Sequence, residues 1–178
     1  MGGALLTDKL AWGATAFSIA HTPPDPQIVG QDRWRAMWQQ RLEGNGLWML
    51  DWFRHQRRDA FYAHGSVCEN YADIEVPVYA VGGYADGYTN PIFRMMEHLP
   101  GPRKALVGPW AHKYPHFATP APRIGFLQEC LRWWDQHLKG IETGIMEEPM
   151  IRAWMQDPAP PDPHAIARPG RRVALPGW

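Results

Sequence analysis

The stretch "VPVYAVGGYADGY", residues 76–88, decides how the rest of the chain is read. Its first half is a short, continuous apolar run closed by two glycines, which reads as a strand buried on both faces. "YADGYT" has the composition of a loop. In "NPIFRMMEHLP" (90–100), Asn90 is the expected N-cap and Pro91 the first helical residue, with Ile92, Phe93, Met96 and Leu99 inside. Pro100, Gly101 and Pro102 end that helix. "KALVG" (104–108) repeats the strand signature. Finally, "RIGFLQECLRWWDQHLKG" carries Ile124, Leu127, Leu131, Trp134 and Leu138 at spacings of 3, 4, 3 and 4, with Gly140 as a C-terminal cap. Strand, helix, strand, helix at these lengths predicts a parallel sheet covered by helices, an α/β architecture.

Upstream the character is different. The chain after "LAWGATAF" (10–17) reads as loop through the proline-rich "HTPPDPQIVG" (21–30). "DRWRAMWQQRLE" then places Trp34, Met37, Trp38, Arg41 and Leu42 at helical spacing, with Asp32 as the expected N-cap and "GNG" (44–46) as a stop. A second helix is expected in "LWMLDWFRHQRRDAF" (47–61), apolar early and basic late, as the helix dipole favours. Downstream, "PMIRAWM" (149–155) alternates like a half-exposed strand, and "DPAPPDP" (157–163) is a stiff connector. No internal repeat stands out.

Composition narrows the function classes. A chain of 178 residues suffices for one domain with a real core. Lys+Arg and Asp+Glu are 18 each, so a long basic face for nucleic acid or an anionic membrane is not expected. No apolar run is long enough for a membrane span, and "MGGALLTDKL" has no signal-peptide pattern. Two cysteines, Cys68 and Cys130, make no disulfide framework and suit a reducing cytoplasm. The ten tryptophans fit helix packing first and an aromatic substrate pocket second.

In open parallel sheets, reactive groups sit in loops at the carboxyl ends of strands. Each of the two loops here offers a titratable group: Asp86 after the first strand, His112 after the second. An acid that orients an imidazole, which in turn takes a proton from a nucleophile, is the second half of a Ser-His-Asp relay. Their separation of 26 positions leaves room for one helix and one strand. The competing reading makes Asp86 an ordinary Asp-Gly turn residue. His112 and His116 are four apart like a helical zinc pair, but Pro115 forbids the helix and no third ligand is spaced nearby, so no metal is expected. His116 reads as a hydrogen-bonded loop histidine. The only serines, Ser18 in "AFSIA" and Ser66 in "HGSVC", lack the Gly-x-Ser-x-Gly elbow of a strained strand-to-helix turn. Cys130 falls on a helix and Cys68 in a loop without an elbow. The residues supply an acid and a base but no recognisable nucleophile.

Several blocks, in order, resemble a known family. "VPVYAVGGYADGY", "GPWAHKYPH" and "FLQECLRWWDQHLKGIETGI" are similar to the C-terminal half of the catalytic domain in the CocE/NonD hydrolases, which group cocaine-esterase-like acyl esterases with Xaa-Pro dipeptidyl-peptidases. "GGALLTDKLAWG", "PPDPQIVG", "RWRAMWQQRLE" and "RHQRRDAFYAHGSVCENY" resemble the helical cap of bacterial members. The resemblance implies that Asp86 is the catalytic acid and His112 the base of a serine hydrolase with an α/β-hydrolase core. It further implies a cap over residues 1–75, the end of the core over 76–148, and the opening of a β jelly-roll over 149–178. The serine elbow and the upstream oxyanion donor have no counterpart, so the chain is expected to be a fragment, inactive alone. Ester, Xaa-Pro peptide and β-lactam side-chain amide are all open as substrates, because pocket shape decides among them. The expected partners are a small acyl ester or peptide substrate and an N-terminal hydrolase segment or a second copy. No cofactor, nucleic acid or membrane is expected, and the expected location is cytoplasmic. The alternative is a non-catalytic remnant, a split-gene subunit, or a binding module built on the cap.

Overall fold

The computed structural model describes residues 8–175, which fall into two compact units divided after Glu69. The N-terminal unit is helical. α1 (Asp8–Ala20) is followed by the single turn α2 (Pro26–Val29), then α3 (Gln31–Gly44), α4 (Met49–Arg54) and the turn α5 (Ala60–Ala63). The proline-rich stretch expected to be loop thus holds one helical turn. Asp25 caps it by accepting from the Gln27 N–H at 2.8 Å, and Pro26 occupies the position where a missing N–H costs nothing. α3 begins two residues earlier than expected: Gly30 takes the cap position and Asp32 lies in the first turn.

The helix expected over residues 47–61 is broken in two. Asp59 accepts from the Phe61 N–H at 3.0 Å and from the His55 ring at 2.7 Å, so it starts a new helix where the old one would have continued. The hydrogen bond from His55 holds its carboxyl below the ordinary range. Trp34 and Trp38 stack at 5.9 Å, and Trp48 meets Trp52 edge-on at 4.8 Å. The Trp38 indole N–H donates to the His21 carbonyl at 2.9 Å, tying α3 to the end of α1. Neither α3 nor α4 has a fully buried residue, so the aromatic surface of this unit is shared between packing and solvent.

The C-terminal unit is a mixed four-stranded sheet with flanking helices, an α/β architecture. β1 (Val78–Gly83), α6 (Asn90–His98), β2 (Arg103–Gly108), α7 (Phe126–Leu138), β3 (Ile151–Gln156) and β4 (Gly170–Leu175) follow in chain order. The strand order is β1-β2-β3-β4. The first three are parallel, β4 runs antiparallel to β3, and Gly83 lies opposite Gly108. Residues 149–178, implied by the resemblance to open a jelly-roll, contribute β3 and β4 to this same sheet.

One sheet face packs against α6. Ala80, Ala105, Val107, Ile151 and Ala153 meet Ile92, Met96 and Leu99, and Met96 is 0 % exposed. Truncating such a side chain costs about 2–5 kcal/mol, through lost transfer energy and the cavity left behind. Thr89 rather than Asn90 precedes α6, and its side chain does not cap the helix. Its hydroxyl instead lies within hydrogen-bonding reach of the Gly83 carbonyl at the end of β1 and the Asp86 carbonyl in the loop that follows.

The opposite face meets α7 through charge. Trp133 is buried at 3 % exposure, but the apolar stripe that marks the helix in sequence points outward, with Leu127, Leu131, Trp134 and Leu138 all more than half exposed. Glu129 is what draws α7 inward. Its carboxylate accepts from the Arg152 guanidinium of β3 and from the Tyr79 hydroxyl of β1, and Arg152 and Arg132 both reach Glu148. Burial opposes ionisation of Glu129, but the hydrogen bond and charge of Arg152 outweigh it and hold the carboxyl below its ordinary range. Burial pushes the Tyr79 phenol up to about 12.

A stability test follows from this network. Glu129→Ala leaves Arg152 partly buried and half-paired, and a loss of roughly 3 kcal/mol in chemical denaturation is expected. The pH dependence has two limbs. A depressed Glu129 contributes stability that is present above its ordinary 4.5 and lost as pH falls through the folded-state value. A raised Tyr79 contributes stability present below its ordinary 10.0 and lost as pH rises toward 12. Tyr79→Phe should weaken the alkaline limb, to which the raised Tyr84 and Cys130 also contribute, and leave the acid one.

Candidate active site

The site is built at the carboxyl ends of β1 and β2, where two glycines let the following loops touch. A Cβ on Gly83 would lie 1.9 Å from the Trp110 carbonyl oxygen, and one on Gly108 would lie 2.4 Å from the Trp110 indole. With nothing in the way, the Tyr84 N–H donates to the Gly108 carbonyl at 2.9 Å and the Ala85 N–H to the Trp110 carbonyl at 3.1 Å. Trp110 is itself fixed: it is 2 % exposed, and its indole N–H donates to the Pro122 carbonyl at 2.7 Å. The parallel ladder therefore continues past the last strand residues, carrying Asp86 and His112 toward each other.

Their side chains meet. His112 Nδ1 lies 2.7 Å from Asp86 Oδ2. The other carboxylate oxygen, Oδ1, accepts from the Tyr88 N–H at 3.0 Å, so the acid is oriented by its own loop. The Asp86 carboxylate accepts a hydrogen bond from an N–H at Nδ1, which leaves Nε2 of the neutral imidazole as a free base. The Asp86 side chain is only 13 % exposed and that of His112 80 % exposed, so the acid is set back and the imidazole projects outward. The Tyr88 ring, 5.5 Å away and tilted, flanks one side of the imidazole. A cleft of about 480 Å³ opens here, lined among others by Asp86, Trp110, His112, Tyr114 and Phe126.

The remaining candidates take other positions. The Ser18 hydroxyl donates to the Ala14 carbonyl at 2.9 Å and that of Ser66 to Tyr62 at 2.6 Å, each four residues back along its own chain. Neither stands on a strand-to-helix elbow. Burial pushes the Cys130 thiol up, away from a reactive thiolate. His116 was expected to be a hydrogen-bonded loop residue. Among the described residues it is instead held by rings, stacked on Phe126 at 6.0 Å and edge-on to Phe117 at 4.6 Å. No group of three or more His, Cys, Asp or Glu among the described residues is arranged to hold a metal ion. Nor is any described helix long and apolar enough to cross a membrane. Two features of the site were not foreseen, the Trp110 carbonyl as a bridge between the loops and the Tyr88 ring beside the imidazole. The paired signals "VGG" and "VGPW" carried the first.

An acid-imidazole pair set on adjacent parallel strands of an α/β unit is an arrangement met among hydrolases. The sequence profile of the X-Pro dipeptidyl-peptidase (S15) family matches residues 1–114, a span that takes in both Asp86 and His112. The chain belongs to this family. No curated protein matches it.

Proposed function

We propose that Asp86 and His112 are the acid and base of a serine acyl hydrolase that cleaves an ester, amide or Xaa-Pro peptide through an acyl-enzyme. The observation that carries the reading is the 2.7 Å contact between Asp86 Oδ2 and His112 Nδ1 at the ends of neighbouring parallel strands. On this reading residues 1–75 form a helical cap, 76–148 the end of an α/β-hydrolase core, and 149–178 the start of a truncated C-terminal β domain. The serine comes from polypeptide other than this chain, because neither Ser18, inside α1, nor Ser66, just after α5, stands on a strand-to-helix elbow.

The chemistry follows from the tautomer. His112 Nε2 takes the proton of the serine hydroxyl as the oxygen attacks the substrate carbonyl, and Asp86 stabilises the imidazolium that forms. The imidazolium then gives that proton to the departing oxygen or nitrogen. A water molecule, deprotonated in the same way, releases the acyl group and restores the serine. Asp86 stays ionised throughout; its work is orientation and charge.

Mass labelling by a fluorophosphonate tests the assignment, because the reagent needs an activated serine. The chain alone should stay unlabelled. Joined to a segment carrying a serine elbow, the protein should gain one adduct on the elbow serine, and His112→Ala should suppress it. An adduct on Ser18 or Ser66 would refute the assignment.

A further inference from the structure

Immediately after His112 the chain builds a four-ring cluster. Tyr114, His116 and Phe126 have nearly parallel planes, with centroids 6.1, 6.1 and 6.0 Å apart and interplanar angles of 25, 24 and 7°. Phe117 stands edge-on to Tyr114 and His116 at 66 and 89°. Tyr114 is 64 % and Phe117 47 % exposed, so these rings are not spent on the core. Tyr114, Phe117 and Phe126 line the same cleft as Asp86 and His112.

We propose that Tyr114 and Phe117, backed by His116 and Phe126, form the leaving-group subsite of this cleft and select a planar aromatic leaving group. The proposal rests on the reading of Asp86 and His112 given above and says which half of the substrate the cleft holds. Asp86 fixes Nδ1, so the proton delivered to the departing oxygen or nitrogen comes from Nε2, and the leaving group must lie beside the imidazole. The rings that begin two residues beyond His112 line the cleft that holds the imidazole. Parallel ring faces with edges turned toward them favour an aromatic guest, which offers a face to stack on and edges for T-shaped contact. A saturated ring of equal size gains only area burial.

Binding can be read without turnover. Benzyl alcohol and cyclohexylmethanol, as probes of equal reach, are titrated into the purified chain and followed by saturation-transfer NMR and by the ring signals of Tyr114 and Phe117. Benzyl alcohol should bind in preference and shift both rings. Tyr114→Ala with Phe117→Ala should weaken it about three- to tenfold, the range expected of one aromatic pair. Both side chains are largely exposed, so the fold should survive the change. Leu138→Ala, an exposed position at the end of α7, should change nothing. Equal binding of the two alcohols, unchanged affinity in the double variant, or no binding of benzyl alcohol up to its solubility overturns the proposal. The assay needs no nucleophile, so its failure would leave the acid-base assignment standing, and a failure of that assignment would leave this binding result standing.

Discussion

Asp86→Asn is expected to lower kcat by about 10⁴-fold once a serine elbow completes the enzyme, with KM nearly unchanged. Only one hydrogen-bond partner changes. The carboxylate accepts from His112 Nδ1 at 2.7 Å and from the Tyr88 N–H at 3.0 Å, and its side chain is 13 % exposed. An asparagine that keeps its carbonyl oxygen on Tyr88 presents its NH₂ group to Nδ1. The imidazole must then carry its proton on Nε2, where the base is needed. Nitrogen-15 NMR of His112 in the isolated chain reads this directly. The neutral ring should be the Nδ1–H tautomer in the native sequence and the Nε2–H tautomer in Asp86→Asn. The same tautomer in both would show that Asp86 does not orient the base.

The second large effect is expected at a residue with no chemistry of its own. Gly83→Ala puts a methyl group 1.9 Å from the Trp110 carbonyl oxygen, and that obstacle is backbone, which cannot rotate aside. The loops must part, breaking the Tyr84–Gly108 and Ala85–Trp110 hydrogen bonds that hold them together. A stability loss of about 2–4 kcal/mol is expected from strain plus orphaned backbone groups. Moving Asp86 from His112 by even 1 Å adds a fall in kcat of roughly 10²-fold. Gly87→Ala, in the same loop with nothing within 4 Å of its added Cβ, is the control and should be nearly neutral. Urea denaturation of the three proteins separates them. Equal midpoints for Gly83→Ala and the native chain would contradict the account of how the site is assembled.

These two residues show what was legible in the sequence. The run at 76–83 was visible as a buried strand because its apolar character is continuous, and 104–108 because the signal repeats. Asp86 and His112 stood out because a parallel pair places its loops together, a rule of topology that needs no side-chain detail. The closeness of those loops was written in the "GG" and "VG" endings, but only a structure shows which carbonyl fills the space a side chain would take. Periodicity also has a blind side. It found α7 through Leu127, Leu131, Trp134 and Leu138, yet those side chains face outward, because the partner of α7 is the cluster of Arg152 and Tyr79 and not an apolar groove. A 3.6-residue rhythm shows that an apolar stripe exists and says nothing of what it meets. The break at Asp59 was missed for a similar reason. A local cap competed with helix propensity and won.

The central claim is that this chain holds the acid and base of an acyl hydrolase and draws its nucleophile from elsewhere. Steady-state hydrolysis of p-nitrophenyl butyrate, by the purified chain alone and joined to a segment bearing a serine elbow, tests it most directly. Alone, the Asp86–His112 pair can give water general-base help of about 10²- to 10⁴-fold, without acyl-enzyme formation. The completed enzyme should exceed the uncatalysed rate by roughly 10⁶-fold or more, show a burst of nitrophenol, and lose both with His112→Ala. Saturable turnover by the chain alone, abolished by His112→Ala and accompanied by a labelled serine within residues 1–178, would contradict the claim.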